Sequence, residues 1–105
     1  YILPQEFGLR TDCRWMEIIR SRDGRRLRIE ALRPVALHMS ATHHRDEDLF
    51  AAADVTELRR REGLVVHLDI AHRGVGTASC GPDIHPRHAI AAGTYRFAYR
   101  LLLVK

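Results

Sequence analysis

Residues 94–104, TYRFAYRLLLV, decide the fold class because large apolar side chains alternate along them with polar or small ones. The apolar members share one parity: Tyr95, Phe97, Tyr99, Leu101 and Leu103. The opposite parity carries Arg96 and Arg100. Since successive side chains of a β-strand point to opposite faces, this period of two predicts a strand with one apolar face.

The same alternation occurs in two further stretches. Residues 63–72, GLVVHLDIAH, place four aliphatic side chains on one face: Leu64, Val66, Leu68 and Ile70. Residues 34–41, PVALHMSA, do the same with Val35, Leu37, Met39 and Ala41. Both stretches are predicted to be strands.

A hairpin is predicted between residues 12–20, DCRWMEIIR, and residues 25–33, RRLRIEALR. The pair Asp23-Gly24 lies between them, and both residue types tolerate the positive φ that tight turns require. The first of these strands is irregular, because Met16 and Ile18 fall on the face opposite Trp15. It is expected either to be covered on both faces or to contain a β-bulge.

One segment lacks the strand pattern. Residues 45–58, RDEDLFAAADVTEL, begin with acidic residues and predict a short helix with Asp46 as a candidate N-cap, followed by a half-turn at residues 56–58. Residues 81–93 contain two prolines and are predicted to be loop. At least five strands and one short helix in 105 residues predict a single all-β domain, an antiparallel β-sandwich.

Composition restricts the function classes. The net charge is +4, and all 17 basic residues except Lys105 are arginines, which suits nucleic acid. The arginines are scattered, however, and cluster only at Arg25-Arg26 and Arg59–Arg61, beside predicted turns, so no nucleic-acid partner is expected.

No apolar run approaches the ~18 residues of a membrane span, and no membrane partner is expected. Without a visible signal peptide or initiator Met, the chain is interpreted as a cytoplasmic piece of a longer polypeptide.

The loop GVGTASCGP, residues 74–82, is the segment with the most unusual composition. It lacks the lysine of a phosphate loop and leads to Pro82 instead of a helix N-terminus, which disfavours phosphate binding. A catalytic role for Cys80 would need a nearby base, and only His72 could approach in space. Cys13 and Cys80 are therefore expected to be buried free thiols.

The spacing of the histidines and carboxylates gives an equally weak indication of a metal site or an acid–base pair. His43 and His44 are adjacent and would face opposite ways on a strand, and Pro86 interrupts the pair His85 and His88. These spacings do not predict a zinc site. No two carboxylates are marked as a glycosidase pair by their spacing. The residues alone therefore predict a β-sandwich without a recognisable active site.

Four stretches, in chain order, resemble the C-terminal small-chain domain of family 2 glycoside hydrolase β-galactosidases. They are YILPQEFGLRTDCRW (1–15), SATHHRDEDL (40–49), HLDIAHRGVGTASCGP (67–82) and YRFAYRL (95–101). Together they cover nearly the whole chain.

The resemblance implies that residues 1–105 are the last part of a larger antiparallel sandwich. The parent enzyme would hydrolyse terminal β-D-galactosides with retention of configuration, through glutamates in a (β/α)8 barrel that this sequence does not contain. The partners implied are that barrel, the galactoside substrate and further copies of the parent in a homo-oligomer. A divalent metal, magnesium, with sodium as a further candidate, is implied for the parent's catalytic domain. The chain alone is expected to be inactive and to expose an apolar face where the rest of the sandwich packs.

In this family the loop after Gly-Val-Gly reaches the barrel mouth, and some members place a sugar-stacking tryptophan there. The resemblance therefore implies a substrate-binding role for Thr77, Ala78, Ser79 and Cys80, with Cys80 at the tryptophan position. Two positions depart from the family pattern, Phe7 (asparagine) and His44 (tyrosine). A mainly structural role is implied for the opening-motif residues Gln5, Glu6, Gly8, Arg10, Asp12, Arg14 and Trp15, and for Asp69 as a strand-end anchor.

Two other functions stay open. A free-standing carbohydrate-binding module would need an exposed aromatic platform, but the alternation assigns all four candidate rings to the core: Trp15, Tyr95, Phe97 and Tyr99. A basic nucleic-acid binder would show salt-dependent binding.

Overall fold

The computed structural model describes residues 8–73 and 80–104, which form two three-stranded antiparallel sheets and one short helix. Sheet A contains β1 (Arg10–Cys13), β4 (Leu37–Thr42) and β5 (Val65–Asp69) in the order β1-β4-β5. Sheet B contains β2 (Trp15–Ile19), β3 (Arg26–Arg33) and β6 (Ala98–Val104) in the order β2-β3-β6. The helix α1 spans Asp46–Ala51, and 3-10 turns lie at Val55–Glu57 and Pro86–His88. The predicted all-β antiparallel sandwich with one short helix is confirmed.

The first passage from sheet A to sheet B takes only one residue, Arg14, which separates β1 from β2. Asp12 has a φ of +54°, and the register of β1 against β4 shifts between Arg10 and Cys13. The Ala31 N–H donates to the Arg14 carbonyl at 2.9 Å and holds this corner against β3. The bulge expected in the strand 12–20 is therefore found only at its start, in β1, where the chain passes between two sheets. Trp15–Ile19 pair with β3 in regular register, and Trp15 simply lies on the charged face of sheet B.

The predicted hairpin joins β2 to β3. Gly24 has a φ of +70° and donates its N–H to the Arg20 carbonyl at 2.8 Å. The Arg20 Nε also donates to the Asp23 carboxylate at 2.9 Å, and this contact lowers the pKa of Asp23. Within the pair Asp23-Gly24, only the glycine adopts the left-handed conformation.

The two faces of sheet B differ in chemistry. Residues directly opposite each other across the three strands form apolar rows, Met16–Ile29–Leu101 and Ile18–Leu27–Leu103. Ile29, on the central strand, is only 3% exposed. The predicted apolar parity is thus confirmed as one face of the sheet for Tyr99, Leu101 and Leu103, whereas Tyr95 and Phe97 precede β6.

The opposite face of sheet B carries a ladder of ion pairs. Arg28 donates from Nε to Glu30 at 2.8 Å and approaches Glu17 at 3.4 Å. Arg100 on β6 binds the other oxygen of Glu30 at 2.5 Å, and the Arg28 guanidinium lies 4.2 Å from the centroid of the Trp15 ring. Arg100 and then Arg28 lower the pKa of Glu30. This charged face is suited to solvent.

The central strand of sheet A, β4, is more completely buried than β3, the central strand of sheet B. On one face of β4, Leu37 and Met39 are almost completely buried, and on the other face Ser40 and Thr42 are buried as well. The segment after β4 closes over the second face, since Asp46 at the start of α1 reaches His67, the cross-strand neighbour of Ser40, at 3.1 Å.

The start of α1 corrects one prediction. Arg45, and not Asp46, is the N-cap residue, and its N–H is bound at 3.1 Å by the carboxylate of Asp48. Asp48 also binds the guanidinium of Arg61 through both oxygens at 2.6 Å, and Arg61 is the main cause of a strongly lowered Asp48 pKa. The half-turn predicted after the helix is confirmed at Val55–Glu57.

The prediction that four aromatic rings lie in the core is wrong. About half of the residue surface stays exposed at each of them: Trp15 (51%), Tyr95 (48%), Phe97 (45%) and Tyr99 (46%). The Cα radius of gyration is 16.1 Å, whereas a compact chain of this length would have about 13 Å. Along β6 an apolar face is exposed, as the family resemblance implied, since Leu101 and Leu103 are 56% and 87% exposed.

Candidate functional site

The candidate site is the segment that follows β5. Of its predicted substrate-binding residues, Thr77, Ala78 and Ser79 lie outside the described residues, whereas Cys80 is described and exposed. Cys13 is half-buried, and both thiols are free. The expectation of free thiols is thus confirmed, but that of burial is wrong for Cys80 and is met only in part by Cys13.

An ion pair joins the residues on either side of this segment. The guanidinium of Arg73 binds the carboxylate of Asp83, which also accepts the Ile84 N–H at 2.6 Å. Arg73 is the main cause of a lowered Asp83 pKa. Because Asp83 is ionised at neutral pH and engaged by two donors, it is suited to clamping the loop and not to donating a proton.

Two histidines pack where β5 ends. Asp69, the last residue of β5, lies opposite His38 on β4, and the rings of His38 and His72 meet edge to face with centroids 4.7 Å apart. The Asp12 N–H donates to the Nδ1 of His38 at 3.4 Å, so the corner of β1 contacts the same cluster. The approach to the loop is therefore fixed against the start of β4. Asp69 has the strand-end position predicted for it.

Metal binding finds no support in this region. Within residues 8–73 and 80–104, no three His, Cys, Asp or Glu side chains are grouped so that they could hold a metal ion. The described residues His43 and His44 each contact a backbone carbonyl, of Gly63 at 3.2 Å and of Arg59 at 3.1 Å. These contacts give both rings a role in holding the 43–63 segment.

An aromatic strip leads into β6, and sequence reasoning did not identify it as a surface. Phe97 and Tyr99 have nearly parallel rings, with 23° between their planes and 6.1 Å between their centroids. The Tyr95 hydroxyl donates to the Ala91 carbonyl at 2.5 Å. The alternation placed these rings correctly on one face, but alternation contains no information on whether that face is covered.

No membrane-crossing helix exists in the described parts of the chain, where α1 has only six residues. Their arrangement is that of a β-sandwich domain in which the ion pair Arg73–Asp83 joins two residues that lie on either side of the segment 74–79 in the sequence. A sequence model of the family "Beta galactosidase small chain" matches residues 1–101. The chain therefore belongs to the β-galactosidase small-chain family, as the four motifs indicated.

Two curated relatives are similar to nearly the whole chain. The β-galactosidase of Arthrobacter sp. (strain B7) is 38% identical over 95 residues, which cover 86% of this chain and 9% of the relative. The β-galactosidase of Actinobacillus pleuropneumoniae is 23% identical over 105 residues, covering 100% of this chain and 10% of the relative. The chain thus spans about a tenth of the length of these relatives.

Proposed function

We propose that this chain is a non-catalytic β-sandwich domain of a retaining β-galactosidase that hydrolyses terminal β-D-galactosides. It supports the enzyme's catalytic barrel and contributes residues 77–80 to the rim of the substrate pocket. The observation that carries the proposal is the family match over residues 1–101, in a chain that spans about a tenth of its relatives.

The distribution of apolar surface supports a role inside a larger protein. Leu101 and Leu103 on β6 are 56% and 87% exposed, although their parity assigns them to the apolar face of sheet B. A self-contained domain buries such a face, whereas a piece of a larger sandwich leaves it for a neighbour.

The loop base supports a positional role for residues 77–80. The Arg73–Asp83 ion pair holds the two ends of the segment, and Cys80 lies exposed just inside it. An ion pair that holds the two ends of a segment suits that segment to presenting a side chain to a pocket built by another domain. At Cys80 a thiol replaces the aromatic ring that would stack on the apolar face of a sugar.

The remaining parts of the proposal concern the parent enzyme. Magnesium, with sodium as a further candidate, would act in its catalytic barrel. The parent would be a homo-oligomer, and it would lie in the cytoplasm.

A chimera tests the proposal. The segment of the Arthrobacter β-galactosidase that aligns with this chain is replaced by this chain, and hydrolysis of o-nitrophenyl β-galactoside is measured. We expect activity from the chimera and none from this chain alone or from the relative with the segment deleted. Hydrolysis by the isolated chain, or undiminished activity after deletion, would contradict the proposal.

The loop assignment is tested by Cys80→Trp in the same chimera. We expect a changed ratio of kcat/KM between lactose and o-nitrophenyl galactoside with little change in Tm, because the added ring contacts the aglycone. Phe50→Trp on the exposed helix α1 is the matched control and should leave the ratio unchanged. An unchanged ratio with a lowered Tm for Cys80→Trp would instead place Cys80 in a packed environment.

A free-standing carbohydrate-binding module is the second candidate, and the half-exposed rings of Phe97 and Tyr99 favour it. Isothermal titration of the chain with galactose and lactose separates the two functions. Millimolar or tighter binding that Tyr99→Ala abolishes would support the module, and absence of binding would exclude these two sugars as its ligands.

A further inference from the structure

The outward side of α1 carries an apolar knob. Phe50 is 94% exposed, more than any other large apolar side chain that the structure describes, and Val55 in the following 3-10 turn is 66% exposed. Side chains three and four residues apart lie on the same side of a helix, so Glu47, Phe50 and Ala51 form one exposed surface. Leu49, on the opposite side of the helix, is half-buried.

A depression of about 370 Å³ lies beside this knob, and we call it the α1 depression. Because an α-helix turns by about 100° per residue, Asp48 and Phe50 lie on opposite flanks of the small, exposed Ala51. The lining of the depression combines charges of both signs with this alanine: Asp48, Ala51, Glu57, Arg59 and Arg61. The knob and the depression therefore border the same small residue, one on each side.

Two charges of opposite sign on this surface form no ion pair within the described ranges 8–73 and 80–104. They are Glu47 and Arg59, both of which are exposed. Arg61, by contrast, is bound by both oxygens of Asp48 at 2.6 Å. Asp48 is the main cause of a raised Arg61 pKa and Glu47 a minor one, which places Glu47 near the border of the α1 depression.

This arrangement is complementary to itself. In a two-fold contact, residue i of one copy meets residue j of the other and the reverse. An axis that passes beside Ala51 exchanges the two flanks of α1, so Phe50 of each copy meets the α1 depression of the other. There the ring meets the guanidinium of Arg59, which attracts the face of an aromatic ring. The same axis brings Glu47 of each copy toward Arg59 of the other.

The charge of the segment around α1 also suits a second copy as the partner. Residues 45–61 contain five acidic residues and four arginines, so this segment is close to neutral although the whole chain carries +4. Two identical surfaces with a strong charge of one sign repel each other, whereas a balanced surface can face itself. A partner of strong single-sign charge gains no such complementarity here.

The helix is held in place before any partner arrives. Asp46 reaches His67 on β5 at 3.1 Å, and the bidentate contact of Asp48 with Arg61 ties α1 to the end of the returning segment. A surface that is already ordered loses less conformational entropy on association than a flexible one.

We propose that the outward side of α1 is a two-fold contact between two copies of this chain. Phe50 of each copy enters the α1 depression of the other, and Glu47 pairs with Arg59 across the axis. Aromatic residues and arginine are enriched at the centres of such contacts. The inference goes beyond the function proposed above, which assigns no surface to a contact between copies. Its test measures no enzymatic activity, so its failure would leave that function untouched.

Sedimentation equilibrium of the intact chain measures the association. We expect a reversible monomer–dimer equilibrium in the micromolar range, because the contact is small. Phe50→Glu should weaken dimerisation at least about tenfold, since it removes the ring and adds a charge of the same sign as Glu47. Leu103→Glu is the matched control. It makes the same change at an exposed apolar residue of β6 and should leave the dimerisation constant unchanged.

Charge reversal tests the pairing across the axis. Glu47→Arg alone and Arg59→Glu alone should each weaken the dimer, because like charges then meet twice in every contact. An equimolar mixture of the two variants should dimerise again, because both opposite-charge pairs are restored between unlike copies. Circular dichroism of each variant confirms that the sheets are retained.

Three results would overturn the proposal. The first is a chain that stays monomeric throughout the micromolar range. The second is self-association that Leu103→Glu abolishes and Phe50→Glu leaves intact, since it would place the contact on β6. The third is a mixture of Glu47→Arg and Arg59→Glu that associates no better than either variant alone.

Discussion

Sheets A and B have the same strand number and antiparallel pairing, but they differ in how completely the chain itself covers them. The central strand of sheet A, β4, is buried on both faces, with Met39 on one and Ser40 on the other. Sheet B buries Ile29 at its centre and exposes Leu103 at its edge. The described residues therefore cover the central strand of sheet A on both faces, whereas they cover the apolar face of sheet B only in part.

The difference follows from what lies next to each sheet. The 43–63 segment returns over sheet A through the contact of Asp46 with His67. On sheet B the corresponding polar face carries the ladder of Arg28, Glu30 and Arg100, which needs no cover, while part of the apolar face remains open. We therefore propose the exposed apolar surface of sheet B as the contact with the rest of the parent protein.

The largest expected effect is on unfolding. Met39→Ala should lower the free energy of unfolding by about 2–5 kcal/mol because it leaves a cavity beneath β4. Leu103→Ala, the matched deletion on β6, should change it by no more than about 0.5 kcal/mol because the side chain is already in solvent. Urea denaturation followed by circular dichroism measures both, and equal losses for the two variants would refute the contrast between the sheets.

A smaller, pH-dependent effect is expected in the ladder of sheet B. Arg100 and Arg28 lower the pKa of Glu30, so its carboxylate is stabilised by folding. A lowered folded-state pKa contributes stability that is complete above the unfolded value of about 4.3 and is lost as the pH falls through the folded value. Glu30→Gln should therefore destabilise the chain at neutral pH, with a difference that shrinks in acid.

The control for this prediction is Glu62→Gln, which alters an exposed glutamate outside both sheets. Denaturation curves at neutral pH and in acid should superimpose for this variant and the parent sequence. A Glu30→Gln curve that kept its full difference in acid would show that the side chain acts through packing and not through charge.

The smallest expected effect concerns the loop base and leaves global stability unchanged. Asp83→Asn removes the charge that binds Arg73, so trypsin should cleave faster after Arg73 while cleavage after Arg96 keeps its rate. Mass spectrometry of a digestion time course measures the ratio of the two rates. An unchanged ratio would mean that the ion pair does not restrain the loop.

Much of the fold could be predicted from local pattern. Alternation located the strands, and Gly24 marked the hairpin because its conformation requires a positive φ. Alternation did not give the start of β6, which was predicted four residues early. The backbone pairing of β3 with β6 ends at Arg33↔Ala98 because the next residue of the chain, Pro34, has no N–H to donate.

The errors share a physical origin, which is that burial is not a local property. Tyr99 alternates as a core residue does, yet the chain supplies nothing that covers it. The N-cap error at Asp46 arose because three consecutive acids, residues 46–48, suit the first turn of a helix in more than one register. The Arg73–Asp83 clamp joins residues ten apart across a loop, a contact that no sequence period marks.

Amide hydrogen exchange in this chain and in the Arthrobacter chimera tests most directly whether sheet B is completed by another part of the protein. The account predicts that β4 amides are equally protected in both proteins, whereas β6 amides gain at least about tenfold protection in the chimera. Equal protection of β6 in the two proteins would contradict it.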